Sequence, residues 1–209
     1  CTASWLFSAG YREDSFMPEK IAIIGIVGLP ANYGGFETLA DNLVTEKGEI
    51  FRIYCSSQAY RKKIAHYKNA DLLYLPLRAN GIQSIAYDFI SIFHAIFSGY
   101  KKLLVLGVSG AAAIKLAKIF FPKVDIITNI DGLEWQRQKW NKPTKFLLKF
   151  FEKLAVENSN HIICDNQVIL DYVKNKYNKT GTLIAYGGDH ATLPSGAELN
   201  EEKNLYDYY

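Results

Sequence analysis

Cysteine is scarce in this 209-residue sequence, and the three that occur are scattered. Cys1, Cys55 and Cys164 form neither a disulfide framework nor a Cys-x-x-Cys ligand motif. Because small secreted domains usually carry denser cysteine patterns, the sequence predicts a reduced, cytoplasmic environment. The four histidines also lie far apart without an H-E-x-x-H motif, so no metal site is predicted.

A long uninterrupted apolar run is also missing. The most apolar stretch, Ile82–Phe97, is interrupted by Gln83, Asp88 and His94 and falls short of the roughly 20 apolar residues that a membrane span needs. The first sixteen residues have neither the basic start nor the apolar centre of a signal peptide. Methionine occurs once, at Met17. We interpret Met17 as the natural start and residues 1–16 as a non-native or disordered extension; the alternative is a genuine, loosely attached arm.

Charge of one sign does not dominate either. The sequence has 24 lysines and arginines against 21 aspartates and glutamates, which gives a formal net charge of +3. This near balance offers no argument for a nucleic-acid partner, and none is predicted. With 49% hydrophobic and 22% charged residues, the composition is that of a globular protein.

Short apolar runs alternate with longer stretches of helical periodicity. Seven strands are predicted, at Ile21–Ile26, Phe51–Cys55, Leu72–Leu77, Leu103–Leu106, Asp125–Ile130, His161–Cys164 and Thr182–Ala185. Helices are predicted between them, at Phe36–Val44, Ile82–Phe97, Ala111–Phe120, Thr144–Val156 and Val168–Tyr177. This alternation predicts an α/β fold, with a Rossmann-like doubly wound parallel sheet covered by helices on both faces.

A glycine-rich loop, residues 28–38, follows the first predicted strand. Gly34 and Gly35 stand where the loop becomes a helix, so backbone N–H groups can approach an anion without a Cβ in the way. A diphosphate suits such a site. The same pattern also suits a tight strand-to-helix turn that binds nothing.

Several nucleotide and catalytic motifs are absent. The second strand ends without the acidic residue that holds the ribose of a dinucleotide, and there is no P-loop motif or G-x-S-x-G elbow. No D-x-D carboxylate pair is present to hold a divalent ion on a diphosphate. The sequence therefore predicts neither a cofactor nor a metal ion.

A second chemical cluster, residues 129–140, leaves the strand that ends at Ile130. It combines acidic, basic and tryptophan side chains, which bind hydroxyls, phosphates and sugar rings respectively. Because loops at the carboxyl ends of parallel strands often carry function, we interpret it as a substrate-binding segment. The alternative is a loop whose tryptophans pack into the core and whose charges pair on the surface.

These motifs together resemble the N-terminal domain of a GT-B glycosyltransferase of glycosyltransferase family 4, in its bacterial rhamnosyltransferase-like subgroup. The residues that carry the resemblance are KIAIIGIVGLPANYGGFET at 20–38, NIDGLEWQRQKW at 129–140, FEKLAVENSNHIICDN at 151–166 and IAYGGD at 184–189. The resemblance implies two Rossmann-like domains that face each other across a cleft. Residues 17–189 would then form the acceptor-side domain, and residues 190–209 the acidic start of a linker to a C-terminal donor domain outside this chain.

The resemblance also implies roles for individual residues. Asp131 stands where many family members have a histidine, and it is expected to orient or deprotonate the acceptor hydroxyl; the alternative is a structural aspartate that caps the following turn. Gly34 and Gly35 are expected to contact the donor diphosphate. Contacts with acceptor or substrate are expected from Tyr33, Glu37, Glu134, Trp135 and Arg137. Glu37 could instead be an acid favoured in the first turn of any helix.

The function implied is transfer of a sugar, rhamnose, from dTDP-rhamnose to a lipid-linked saccharide in bacterial surface polysaccharide synthesis. A lipid-linked acceptor implies contact with an anionic membrane at its inner face. The apolar helix 82–97 and the helix 144–156, with its lysines and phenylalanines, suit such contact; ordinary core helices are the alternative. The rival functions are transfer of another nucleotide sugar and a non-catalytic Rossmann-like binding module.

Overall fold

The computed structural model describes residues 19–32, 34–130, 132–138 and 140–185. It confirms the α/β class and the Rossmann-like doubly wound sheet. The predicted extension 1–16 and the predicted linker 190–209 lie outside the described residues. The strands are β1 Ile21–Ile24, β2 Phe51–Ser56, β3 His66–Tyr67, β4 Ala70–Leu75, β5 Lys102–Leu106, β6 Asp125–Ile130, β7 His161–Cys164 and β8 Thr182–Leu183. The helices are α1 Gly35–Lys47, α2 Gln83–Phe97, α3 Ala111–Phe120, α4 Lys142–Asn158 and α5 Gln167–Tyr177. Single 3-10 turns lie at Gly48–Ile50 and Glu134–Gln136.

The eight strands form one sheet in the order β3-β4-β2-β1-β5-β6-β7-β8. Every neighbouring pair is parallel except β3 and β4, which are antiparallel. The two-residue strand β3 was not predicted, because two residues are too few to show a hydrophobic period. On one side of β1 the chain adds β2, then the edge strand β3, and then β4 between those two, whereas on the other side it proceeds outward from β5 to β8. The strand order therefore reverses between β1 and β5.

Alternate residues of the central strands supply two separate cores. Ala22 and Ile24 of β1 face the core formed with α2, α3 and α4, whereas Ile23 faces the core formed with α1. Strand β5 alternates in the same way, with Leu103 on the first side and Leu104 on the second. Burial on both faces explains why these strands are continuous apolar runs.

Three strands end earlier than predicted, and one of them is β8, which stops at Leu183 instead of Ala185. Strand β1 stops at Ile24 because Gly25 takes a φ of +95° and turns the chain against β5. Strand β4 stops at Leu75, before Pro76, which has no N–H to donate to a neighbouring strand. Helix α2 ends as predicted ahead of Gly99, whose φ of +87° and N–H bond to Ile96 O are those of a glycine that terminates a helix.

None of the helices in the described part of the chain is long and apolar enough to cross a membrane.

Candidate functional site

The point at which the strand order reverses is where an open parallel sheet leaves a crevice for ligands. Three loops meet the carboxyl edge of the sheet around this point: residues 25–34 after β1, residues 107–110 after β5, and the residues that follow β6. The first loop is the predicted glycine-rich loop. Both predicted chemical clusters therefore leave the same edge of the sheet.

The glycine loop is pressed closely against its neighbours. A Cβ on Gly25 would stand 2.1 Å from the carbonyl oxygen of Leu106 at the end of β5. A Cβ on Gly28, whose φ is +138°, would stand 2.8 Å from the Cys55 side chain. Only glycine fits these two positions, so the turn itself requires both of them.

Glu37, in the first turn of α1, points back into this loop. Its Oε1 accepts a 2.7 Å hydrogen bond from the N–H of Val27, and the residue is 4% exposed. Its Oε2 would lie 3.2 Å from a Cβ on Gly34. The carboxylate therefore ties the middle of the glycine loop to the start of the helix. The structure shows this bracing contact, and the predicted contact between Glu37 and a substrate stays a prediction.

Gly34 and Gly35 form the junction between the loop and α1. Gly34 is the N-cap residue of α1, and as a glycine it has no side chain that could cap the helix. Gly35 is exposed, and a Cβ built on it meets no described atom within 4 Å. The junction is thus open where a phosphate would approach, and the positive end of the α1 dipole points towards it. Tyr33, predicted beside them, lies outside the described residues.

The loop after β5 lies next to the glycine loop. A Cβ on Gly107 would be 3.6 Å from the Phe36 ring at the start of α1. The Ser109 hydroxyl donates a hydrogen bond to Oδ2 of Asp88, which is buried in α2. Burial raises the pKa of Asp88 to about 7, against a smaller opposing effect of the Ser109 hydrogen bond. Asp88 Oδ1 has no hydrogen-bond partner among the described residues.

Sequence reasoning gave no functional role to Asp88, which counted only as an interruption of an apolar run. The signal available was a single carboxylate within a helix that is apolar on most sides. Asn129, at the end of β6, was predicted only as the first residue of the segment 129–140 and had no individual role. Its backbone oxygen accepts from Gly107 N at 3.0 Å, while its buried Oδ1 has no partner among the residues that the structure describes. The carboxyl edge of the sheet therefore holds buried polar atoms beneath the predicted loops.

Asp131, the predicted catalytic residue, lies outside the described residues, and the description resumes at Gly132. Glu134 accepts a 3.1 Å hydrogen bond from the indole of Trp140 and forms a 3.1 Å ion pair with Arg137. The Arg137 side chain is 62% exposed. The structure thus brings Glu134 and Arg137 into direct contact with each other.

Trp135 is held against α4. Its Nε1 donates a 2.9 Å hydrogen bond to Oε2 of Glu152, and the Lys149 ammonium lies 3.9 Å from the centre of its ring. An ammonium at this distance makes a cation–π contact with the indole. The expected stacking of Trp135 on a sugar stays a prediction, because the described contacts use its N–H and place a lysine over its ring.

Comparison with known protein families identifies the family of this chain. Residues 18–189 match the family described as a domain of unknown function, DUF1972. The chain belongs to the DUF1972 family. No curated protein matches its sequence significantly.

Among solved structures, the DUF1972 chain is similar to sucrose-phosphate synthase from Thermosynechococcus elongatus, with a TM-score of 0.60 and 15% identity. The match covers 80% of this chain and 47% of that one, so the chain spans about half the length of its structural relative. At this identity the likeness concerns the fold alone, and the DUF1972 fold matches one Rossmann-like half of a GT-B structure. The family 4 and rhamnosyltransferase assignments stay predictions.

The predicted site residues of the DUF1972 domain fall into two groups. Gly34, Gly35 and Glu37 form the glycine-loop junction, while Glu134, Trp135 and Arg137 belong to the segment after β6. In the described part of the chain, no three side chains of the metal-binding types come together. The expectation that the chemistry needs no metal stays a prediction.

Proposed function

We propose that this DUF1972 chain is the acceptor-side half of a GT-B glycosyltransferase that transfers rhamnose from dTDP-rhamnose to a lipid-linked saccharide. The observation that supports this proposal most is the open glycine junction before α1, at the crevice where the strand order reverses. Sites of this kind suit phosphate groups, because backbone N–H groups and the helix dipole both favour an anion. A fold that matches one half of a GT-B structure is consistent with it.

In this proposal the N–H groups of Gly34 and Gly35 contact the donor diphosphate. Glu37 keeps the loop in place through Val27, so that the two glycine amides face the crevice. A donor domain outside this chain would hold the base and most of the sugar. Such a partner would agree with a chain that spans 47% of its structural relative.

The acceptor would bind beside the segment after β6. Asp131 would orient or deprotonate the acceptor hydroxyl, and Arg137 would offer an exposed guanidinium next to it. Tyr33 would contribute from the glycine loop. Glu134 and Trp135 would shape the segment, since each is engaged with a neighbouring side chain in the structure.

A lipid-linked acceptor would bring the chain to the inner face of the cell membrane. Two surfaces support this part of the proposal. Helix α2 begins beside Ile82, which is 91% exposed, and ends at Phe97, which is 74% exposed. Helix α4 exposes Phe146 and Phe150 among its lysines. Exposed phenylalanines next to lysines favour an anionic lipid surface.

The test uses the full-length protein that contains this chain, with membranes as the source of acceptor. Labelled dTDP-rhamnose, UDP-glucose and GDP-mannose are supplied one at a time, and label is measured in the lipid extract. We expect transfer from dTDP-rhamnose. Transfer from another donor alone would correct the sugar, and transfer from none would overturn the proposal.

Calorimetric titration of the 209-residue chain with the same three compounds distinguishes the proposed function from the rival function, a non-catalytic Rossmann-like binding module. A few solvent-exposed hydrogen bonds of about 0.5–1.5 kcal/mol each do not offset the cost of immobilising a ligand. We therefore expect dissociation constants weaker than about 1 mM. A micromolar constant would favour a stand-alone nucleotide-binding module.

A further inference from the structure

A buried carboxylate in α4 accepts hydrogen bonds from four donors, which belong to two other parts of the chain. Glu152 is 2% exposed, and its Oε2 accepts from Trp135 Nε1. Its Oε1 accepts from the hydroxyls of Tyr172 at 2.7 Å and Tyr177 at 2.6 Å, and from the Lys176 ammonium at 3.3 Å. We name this set of five side chains the Glu152 anchor. Trp135 is its member from the segment after β6, and the three other donors belong to α5.

The burial of Glu152 has a cost in free energy that these four donors offset. A carboxylate removed from water loses several kcal/mol of solvation unless donors and an opposite charge replace it. Here two hydroxyls, an indole N–H and an ammonium do so. Burial, and then the hydrogen bond to Glu152, raise the pKa of Tyr177 far above its usual range. Tyr177 therefore stays protonated and remains a donor at physiological pH.

In the described part of the chain, Leu133 and Trp135 both attach the segment 132–138 to other elements. Leu133 packs against the core cluster that contains Val156. The described hydrogen bonds at Gln136 N and Arg137 N are local to the 3-10 turn, and those of Glu134 to Arg137 and Trp140 join residues at most six positions apart. The Trp135–Glu152 bond spans seventeen positions and joins the segment to α4. The Lys149 ammonium on the indole ring reinforces the same attachment.

We propose that the Glu152 anchor is a positioning device that fixes the segment after β6, through Trp135, over the carboxyl edge of the sheet. Glu152 itself touches no substrate in this proposal. It holds the segment that begins beside Asp131 and carries Arg137, and so sets where the acceptor binds. That last consequence rests on the proposed function, whereas the attachment itself does not.

Two single-donor variants separate this role from general stabilisation. Trp135→Phe removes the N–H that bonds to Glu152 but keeps an aromatic ring next to Lys149. Tyr172→Phe removes one donor to the same carboxylate, but that donor comes from α5 and not from the segment. Both variants leave Glu152 with three donors. If the anchor only stabilised the fold, the two variants would therefore change hydrogen exchange of residues 132–138 to the same extent.

The measurement is amide hydrogen exchange of residues 132–138, with α4 as an internal reference, on the 209-residue chain. We expect Trp135→Phe to speed exchange of the segment about tenfold, equivalent to about 1.4 kcal/mol, relative to any change in α4. Tyr172→Phe should leave the segment within about threefold of wild type. A segment already unprotected in the wild type, or equal exchange in the two variants, would overturn the proposal.

The kinetic consequence is measured separately, on the full-length protein with dTDP-rhamnose and a lipid-linked saccharide. Trp135→Phe should lower kcat/KM for the acceptor about tenfold and leave the KM for dTDP-rhamnose unchanged, because no hydrogen bond between described residues joins the glycine loop to the anchor. Tyr172→Phe should change neither. A wild type that transfers no sugar refutes the proposed function, and the exchange result then decides on the anchor alone. An active wild type in which both variants lower kcat/KM for the acceptor equally refutes the positioning role.

Discussion

Replacing Glu37 tests whether its carboxylate holds the glycine loop. Glu37→Ala deprives the Val27 N–H of a buried acceptor 2.7 Å away. A hydrogen bond to a charged group contributes about 1.5–3 kcal/mol, and an acid in the first turn of a helix adds about 0.3–1 kcal/mol. We expect the free energy of unfolding to fall by roughly 2–4 kcal/mol. For a domain of this size the melting temperature would fall by roughly 5–15 °C.

Glu37→Gln is the variant to compare with Glu37→Ala, because it removes the charge but keeps a hydrogen-bond acceptor. Its amide oxygen can still accept from Val27, so the loss should be limited to about 1 kcal/mol for the charge. Glu46→Ala is the control, because Glu46 is an exposed acid near the other end of α1 and should change stability by less than about 0.5 kcal/mol. Urea unfolding followed by circular dichroism measures all three. A Glu37→Ala variant as stable as Glu46→Ala, or a Glu37→Gln variant as unstable as Glu37→Ala, would refute the bracing role.

The same variants separate bracing from substrate contact. If Glu37 only braces the loop, Glu37→Gln should lose no more than about 1 kcal/mol of stability and keep sugar transfer near the wild-type level. A Glu37→Gln protein that is stable but transfers poorly would instead indicate that the carboxylate meets the substrate.

Three further predictions concern Asp88, Gly35 and metal dependence. The pKa of Asp88 is raised from 3.8 to about 7 in the folded chain, so between these pH values the folded state keeps a proton that the unfolded state has lost. The contribution of Asp88 to stability is therefore expected to fall as pH rises from about 4 to 7. Urea unfolding at several pH values should show a weaker dependence of stability on pH for Asp88→Asn, and an equal dependence in both proteins would contradict the assigned burial effect. The Cβ that Gly35→Ala adds meets no described atom within 4 Å, so this variant should fold normally yet weaken sugar transfer at low donor concentration. The control Asn42→Ala, on the exposed side of the same helix, should leave transfer unchanged. A normal KM for the donor in Gly35→Ala would contradict contact between Gly35 and the diphosphate. Transfer by the full-length protein should persist in EDTA, and activity that vanishes in EDTA and returns with Mn²⁺ would show that a metal is needed.

The regular elements were largely predictable because local patterns encode them. The bounds of α3, β6 and β7 in the structure are those that the apolar periods and the flanking residues predict. The mostly parallel, doubly wound sheet also follows from short strands alternating with helices, whereas the order of its strands came from the structure. The error at the end of β1 arose because a contact far along the chain shapes that end, whereas Pro76, which follows the end of β4, is a local signal. Gly25 ends β1 because the Leu106 oxygen leaves no room for a side chain, and no local pattern reports that oxygen.

The candidate site also has one part that the sequence predicts and another that depends on contacts distant in sequence. The sequence by itself determined where the reactive residue types lie: a glycine pair before α1, and acids, an arginine and tryptophans after β6. The tertiary structure alone decided which way the side chains of Glu37 and Trp135 turn. Glu37 reaches back to Val27, and Trp135 reaches across to Glu152, seventeen positions away. Burial decides these orientations, because a carboxylate or an indole N–H removed from water must find a partner, and folding brings that partner from elsewhere in the chain.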